Sequence, residues 1–281
     1  MAHAFRILNV FTIDGDPFSG NPLCVFEDAR GLSDAQMQAL ARQMNLSETT
    51  FVLPSEREGA DARVRIFTPG FEMPFAGHPT LGTASVVGAG RDRVTLDLPA
   101  GLVPVTCDGG AWTLRAARPP ETRAVDASRA ELASMLGLPA DAVCDEPLWV
   151  STGVEQLVIP VASAAHVHAA RPVMPLLERW GYSKARTEAM AYVWAAEGDE
   201  WPVRFFFTVN GACLEDPATG SACANLGGWW LARERSLPMT ATLRQGDAVQ
   251  RPSRLGLRVD AARGIYVTGA VIELGRGTID V

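Results

Sequence analysis

Two short stretches carry the residues that could do chemistry. Residues 215–222 read Glu-Asp-Pro-Ala-Thr-Gly-Ser-Ala, and residues 77–84 read Gly-His-Pro-Thr-Leu-Gly-Thr-Ala. They align without a gap. His78 falls on Asp216, Pro79 on Pro217, Gly82 on Gly220, Thr83 on Ser221 and Ala84 on Ala222. Each stretch follows an apolar run containing Phe-Phe or Ile-Phe and precedes an apolar run of helical character. The alignment predicts a duplicated strand–loop–helix unit. Gly220 lets the backbone turn sharply and approach a ligand. Ser221 suits a helix start. The unpaired N–H groups of a first helical turn attract anions. Two such units, facing one cleft, would suit a substrate bearing a carboxylate.

Glu48 is the third candidate. It lies in Asn45-Leu-Ser-Glu-Thr-Thr50, between a predicted helix and the strand Phe51-Val-Leu53. A charged residue at such a junction is commonly a solvated loop residue. Its neighbours Leu46, Thr49, Thr50, Phe51 and Val52 nevertheless make a poor solvent face. A carboxyl partly withdrawn from water can exchange protons near neutrality. His78 alone would more often be a structural loop histidine, and its alignment opposite Asp216 is what raises it.

The elements that must position these residues follow from periodicity. Strands are predicted over 6–12, 23–26, 51–53, 63–68, 94–98, 102–107 and 112–114. Ser33, with Gln36 at capping-box spacing, opens a helix to about Met44, where Met37, Leu40, Ala41 and Met44 share a face. A helix over 81–87 follows the His78 loop. Residues 116–125, with Pro119-Pro120, read as an interdomain linker. The second half is predicted to hold a helix at 128–136, two strands within 148–161, a helix near 175–180, and strands at 189–195 and 203–209. A helix at 223–233 and tail strands at 241–245, 254–259 and 264–274 complete it. Mixed strands with one long helix per half predict an α+β architecture.

Composition narrows the function. The chain has 281 residues, 47% of them hydrophobic, which is ample for two domains of ordinary size. Net charge is −7 and no Lys/Arg cluster occurs, so nucleic acid is a poor partner. No apolar run reaches membrane-spanning length and no signal-peptide pattern opens the chain, so a cytoplasmic protein is expected. The five cysteines, Cys24, Cys107, Cys144, Cys213 and Cys223, form no CxxC pair. Cys213 and Cys223 flank the key loop, but small apolar side chains in a reducing compartment are the favoured reading. His166 and His168 lack completing ligands, so no metal is assigned. No GxGxxG or Walker loop indicates a nucleotide cofactor.

Taken together, Val10-Phe-Thr12 with Phe18-Ser-Gly-Asn-Pro-Leu23, residues 45–52, Phe67-Thr-Pro69 through 74–84, and residues 215–222 resemble the phenazine-biosynthesis-like (PhzF-like) isomerase family. Gln245-Gly246, Arg251-Pro-Ser253 and Arg263-Gly264 extend the resemblance to the tail. It implies a diaminopimelate epimerase-like fold of two similar halves, each a mixed, mostly antiparallel sheet wrapped around a central helix. The expected division is an N-terminal half, 1–116, carrying Glu48 and His78, and a C-terminal half, 125–270, carrying Asp216 and Ser221. A final strand, 271–281, would return to the N-terminal half.

By motif position the resemblance implies Glu48 as the proton shuttle. His78 and Asp216 complete the catalytic set. Ser221, Gly77, Gly220 and Thr83 bind substrate. Cys213 and Cys223 do not match the paired cysteines of the epimerases. The expected activity is a cofactor-independent proton shift within a small cyclic or conjugated carboxylic acid, by a homodimer, at the cleft between the halves. The alternatives are a two-base epimerase or racemase of amino-acid type and a non-catalytic small-acid binding protein on the same fold. The intact set Glu48, His78, Asp216 and Ser221 argues against the latter.

Overall fold

A computed structural model describes residues 2–281. The fold is α+β. The chain divides into two compact units, Met1–Ala117 with Thr268–Val281, and Arg118–Val267.

The first unit runs β1 (Ala2–Val10), β2 (Asn21–Phe26), α1 (Asp34–Met44), β3 (Thr49–Leu53), β4 (Ala62–Phe67), β5 (Glu72–Met73), α2 (Gly77–Gly88), β6 (Arg93–Leu98), β7 (Gly101–Asp108) and β8 (Ala111–Arg115). Antiparallel pairs β1–β2, β3–β4, β6–β7 and β7–β8 alternate with parallel pairs β2–β3 and β4–β6. α2 packs on β1, β2, β3, β4, β6 and β8. It is apolar nearly all round, as a helix enclosed by strands must be. At Gly82 an added Cβ would lie 2.5 Å from Leu23 Cδ2 and 2.9 Å from Val10 Cγ2, so only glycine lets α2 sit this close to β1 and β2.

α1 forms as the spacing predicts. Ser33 accepts from Gln36 N, and the Gln36 side chain accepts from Ser33 N, closing both halves of the capping box. Its apolar face covers Phe26, Phe51 and Phe67. Phe26 stacks on Phe51 at 4.9 Å, and Phe51 meets Phe67 edge-on at 5.4 Å.

The second unit runs β9 (Glu121–Ala124), α3 (Arg129–Met135), β10 (Leu148–Ser151), β11 (Glu155–Pro160), α4 (Ala164–Ala169), α5 (Met174–Trp180), β12 (Tyr182–Ser183), β13 (Glu188–Trp194), β14 (Glu200–Val209), β15 (Ala212–Asp216), α6 (Gly220–Ala232), β16 (Met239–Gln245), β17 (Ser253–Val259) and the start of β18 (Ile265–Asp280). From Thr268 onward β18 belongs to the first unit, where it pairs antiparallel with β1. In the second unit α6 packs on β9, β10, β11 and β17.

Several local expectations change. The residues read as a linker include β9, which pairs antiparallel with β10, with Arg123 opposite Trp149. Proline keeps the residue before it extended, and the backbone after Pro119-Pro120 simply continues as a strand. The short helix α4 falls in a stretch for which the sequence predicted no element. β15 intervenes between β14 and α6, so Glu215 and Asp216 end a strand rather than sit in a loop. β1 ends at Val10, where Phe11 adopts a φ of 66°.

The largest change concerns the two matched stretches. α2 begins at Gly77, so His78 lies in its first turn rather than in a loop before it. α6 begins at Gly220, also in helical conformation, with Thr219 rather than Ser221 at the N-cap. The helix starts therefore equate Gly77 with Gly220 and His78 with Ser221. This register differs from the gapless alignment, which equated His78 with Asp216. Identical residue types aligned the two stretches, but backbone hydrogen bonding sets where each helix begins.

Candidate active site

Glu48 and His78 come together in the first unit. α2 places His78 as its second helical residue, and the turn before β3 supplies Glu48. His78 Nδ1 lies 3.0 Å from Glu48 Oε2. On the other side, His78 Nε2 lies 3.2 Å from the carbonyl oxygen of Pro22. The imidazole is 4% exposed and the Glu48 side chain 17%. The histidine is thus locked while the carboxylate keeps a wet edge.

Pro22 lies in β2, and the loop that precedes it is braced by three bonds. Asn9 Nδ2 donates to Pro17 O at 2.8 Å, Ser19 Oγ donates to Asp16 O at 2.7 Å, and Ile13 N donates to Ser19 Oγ at 2.9 Å.

These contacts fix where protons can be. A carbonyl only accepts, so Nε2 carries a hydrogen toward Pro22. In a neutral ring Nδ1 would then be a bare acceptor. A carboxylate 3.0 Å away would meet it lone pair to lone pair. The contact is favourable only with one proton between Nδ1 and Oε2. With the proton on the ring, Glu48 is a carboxylate base. With it on Oε2, Glu48 is an acid. The pair can exchange these roles within one hydrogen bond, which a proton-shuttling group needs.

The second unit brings together Asp216, Thr219 and Gln245. Strand alternation along β16 buries Met239, Ala241, Leu243 and Gln245 on one face. Gln245 Oε1 accepts from Thr219 N at 3.2 Å, and Nε2 donates to Asp216 O at 2.8 Å and Thr219 Oγ1 at 2.9 Å. Thr219 Oγ1 then donates to Asp216 Oδ2 at 2.5 Å. That order of donors presents Asp216 as an acceptor. Gly246, at φ +83°, makes the turn possible, since a Cβ there would sit 2.2 Å from Arg251 O and 2.5 Å from Pro217 O.

One residue upstream, Glu215 forms a bidentate pair with Arg204, at 2.6 and 3.0 Å. Arg204 Nη1 also donates to Ala170 O at 2.7 Å, at the C-terminal end of α4. Glu215 therefore anchors β15, its carboxylate committed to Arg204.

Ser221 occupies the second position of α6. Its Oγ accepts from Gln156 Nε2 at 2.7 Å. Gln156 is in turn held by Asn225, whose amide also contacts Thr152 and Val154. Neither α2 nor α6 has a side-chain N-cap. The first backbone N–H groups, at Gly77 and His78 and at Gly220 and Ser221, thus remain helix-start donors suited to anions. Pro79, third in α2, has no N–H to leave unmet.

Thr83, expected among the substrate contacts, has partners inside the protein. It is fully buried, its hydroxyl donates to Pro79 O at 2.7 Å, and it shares a 2.8 Å bond with Thr50. The geometry makes it a tie between α2 and β3. Cys223 is buried and Cys213 partly so, and desolvation pushes both thiols up. Neither is poised as a thiolate. Among the described residues, no three His, Cys, Asp or Glu side chains group as a metal site. No helix of the described residues is long and apolar enough to cross a membrane.

Pro22, Gln156, Asn225 and Thr219 escaped the sequence reading. Gln156 had a detectable signal, as an uncharged polar residue heading the apolar run 157–160. Asn225 similarly interrupts the apolar residues of α6.

The fold is α+β, and its first unit sets a partly exposed carboxyl against a clamped histidine, a pair whose chemistry suits proton transfer. The model of the phenazine biosynthesis-like protein family matches residues 8–275. The chain belongs to that family, and it is an isomerase. It is 38% identical to an uncharacterized isomerase of Pasteurella multocida, over 99% of this chain and 94% of the relative. It is 37% identical to the trans-2,3-dihydro-3-hydroxyanthranilate isomerase of Pseudomonas aeruginosa, over 92% and 91% of the two chains. A PhzF-family structure from Bacillus anthracis superimposes with a TM-score of 0.84 at 24% identity, covering 100% of both chains, a likeness of fold.

Proposed function

We propose that this isomerase moves a proton within a small carboxylic acid, cyclic or conjugated, using Glu48 as the shuttle and no metal or redox cofactor. The carrying observation is the Glu48–His78 contact backed by the Pro22 carbonyl. Glu48 as carboxylate removes a proton from carbon, and the C–H electron pair moves into the conjugated system. The protonated Glu48 then returns the proton at another carbon. No atom or electron is gained or lost, so the reaction needs no co-reactant. His78 holds the shuttle and accepts or supplies the proton of their shared bond.

Asp216 and Ser221, with the N–H groups of Gly77 and Gly220, bind the polar groups of the substrate in this reading. An acceptor at Asp216 suits an amine or hydroxyl. A hydroxyl donor at Ser221, beside the start of α6, suits a carboxylate. The similarity to the Pseudomonas aeruginosa enzyme makes a dihydro-hydroxyanthranilate the first compound to try. The family resemblance further suggests two similar halves, each built around its central helix, acting as a cytoplasmic homodimer.

The test is solvent deuterium exchange followed by NMR. The protein and Glu48→Gln are each incubated in D₂O with trans-2,3-dihydro-3-hydroxyanthranilate and a panel of small unsaturated and α-amino acids. Deuterium at a migrated position, lost in the variant, is the expected result. Exchange with inversion at a single carbon would instead establish the epimerase. No exchange, with equal ligand binding by both proteins, would overturn the shuttle role of Glu48 in favour of a binding protein.

A further inference from the structure

The buried amides behind Ser221 have a direction that can be derived from one end to the other. Thr152 N donates to Asn225 Oδ1 at 2.8 Å. A backbone N–H can only donate, so this contact settles which end of the Asn225 amide is oxygen. Thr152 Oγ1 reaches the same oxygen at 2.8 Å. Asn225 Nδ2 must then face its other neighbours, Val154 O at 2.8 Å and Gln156 Oε1. Val154 O is a carbonyl and only accepts, which confirms the orientation independently. Gln156 thus turns its oxygen to Asn225 and its NH₂ to Ser221, where Nε2 donates to Oγ at 2.7 Å.

Ser221 Oγ therefore receives a hydrogen bond from inside the protein. Its own proton cannot point back along that line. No acceptor among the described residues takes it. Gln156 is 1% exposed and Asn225 fully buried. Neither can be reoriented by water, and turning either amide would put NH₂ against N–H or oxygen against oxygen. Such conflicts inside a protein are costly.

We propose that Gln156, itself oriented by Asn225, is a positioning residue that holds the Ser221 hydroxyl proton outward as a donor for the substrate carboxylate. This rests on the reading of Ser221 as a carboxylate contact. A serine without this backing could offer a lone pair as readily as a proton. With it, the hydroxyl is a donor before any ligand arrives, and no reorientation is needed on binding.

Two measurements test the relay and the carboxylate reading separately. Neutron diffraction from crystals of the deuterium-exchanged protein reads the first. Density for the Gln156 ND₂ group toward Ser221, and for O–D directed away from Gln156, is expected. An O–D pointing at Gln156 would overturn the relay, whatever the ligand.

Calorimetric binding of anthranilate and of aniline, which lacks the carboxylate, reads the second. Gln156→Glu keeps the shape but turns the donor into an acceptor, which draws the serine proton inward. It should weaken anthranilate binding about tenfold to a hundredfold, the scale of one hydrogen bond to a charged group, and leave aniline unchanged. In the Ser221→Ala background the same change should have no further effect. A loss in both backgrounds, or of both ligands, would show Gln156 to be merely structural and overturn the proposal. Equal anthranilate binding by wild type and Ser221→Ala, or no binding at all, would sink the carboxylate reading, leaving the neutron map to decide the relay alone. Circular dichroism and thermal melting check the folding of each variant, and Gln156→Met, uncharged and similar in length, replaces Gln156→Glu if that variant unfolds. It removes the donor and frees the serine proton, so a smaller but measurable loss with anthranilate alone is expected.

Discussion

His78 is held at both ring nitrogens, by Glu48 Oε2 at 3.0 Å and by the Pro22 carbonyl at 3.2 Å, so the Glu48–His78 contact carries a proton. Glu48→Gln should keep the contact, because the new amide NH₂ can donate to Nδ1, while removing the exchangeable proton. The rate of isotope exchange should fall by about two to four orders of magnitude. His78→Ala should also slow exchange. The double variant should be little worse than Glu48→Gln, since the two side chains act as one unit. Additive losses in single-turnover exchange would mean that they act separately.

Thr83 ties α2 to β3 through Thr50. Thr83→Val removes the bonds to Pro79 O and Thr50. A stability loss of about 1 kcal/mol, the net worth of an ordinary internal hydrogen bond, is expected by urea unfolding. Exchange activity per folded molecule should stay within about twofold, because no transition-state contact is removed. A selective rise in KM would return Thr83 to the substrate contacts.

Gln245 organises the approach to Asp216. Gln245→Leu removes the bond to Asp216 O and leaves the buried Thr219 N without its amide acceptor. A loss of about 1–3 kcal/mol is expected, the cost of stranding buried polar groups. Denaturant unfolding measures it, and a loss well under this range would mean that water replaces the amide.

The cysteines should be bystanders. Burial pushes the Cys24 thiol up to about 12 and raises Cys223 further still. At mildly alkaline pH both should resist iodoacetamide in the folded protein and react on unfolding, while the exposed Cys144 reacts first. Peptide mass mapping separates these sites. Rapid alkylation of Cys223 with loss of exchange activity would contradict this assignment.

Glu155 gives a pH signature. Its hydrogen bond with Arg123, helped by Ser183, holds its carboxyl below the usual glutamate range in the folded state. A depressed folded-state value means that the unfolded chain binds the proton more readily. The stabilisation is therefore present above the unfolded value and is lost as pH falls through the folded one. Glu155→Gln should cost at most about 1 kcal/mol at neutral pH, given the half-exposed arginine. The difference should close below about pH 4, the ordinary carboxylate range. Urea unfolding of both proteins across that range checks the sign.

What the linear chain determined was local. The capping box at Ser33 and Gln36 and the alternating strands near 62–67 and 239–245 needed only neighbouring residues, because helix and strand periods are properties of adjacent side chains. Glu48, His78, Asp216 and Ser221 could be singled out as candidates from the chain alone, since their motifs are contiguous. Their partners could not. Pro22 in β2 meets His78 at the start of α2, and Gln156 in β11 meets Ser221 in α6. The register of the two matched stretches also lay beyond reach, because helix starts at Gly77 and Gly220 depend on which backbone donors find carbonyls. Tertiary structure alone decided which atom of each functional side chain is donor and which is acceptor. A hydrogen bond's direction is set by the group opposite, and here that group is usually far away in sequence.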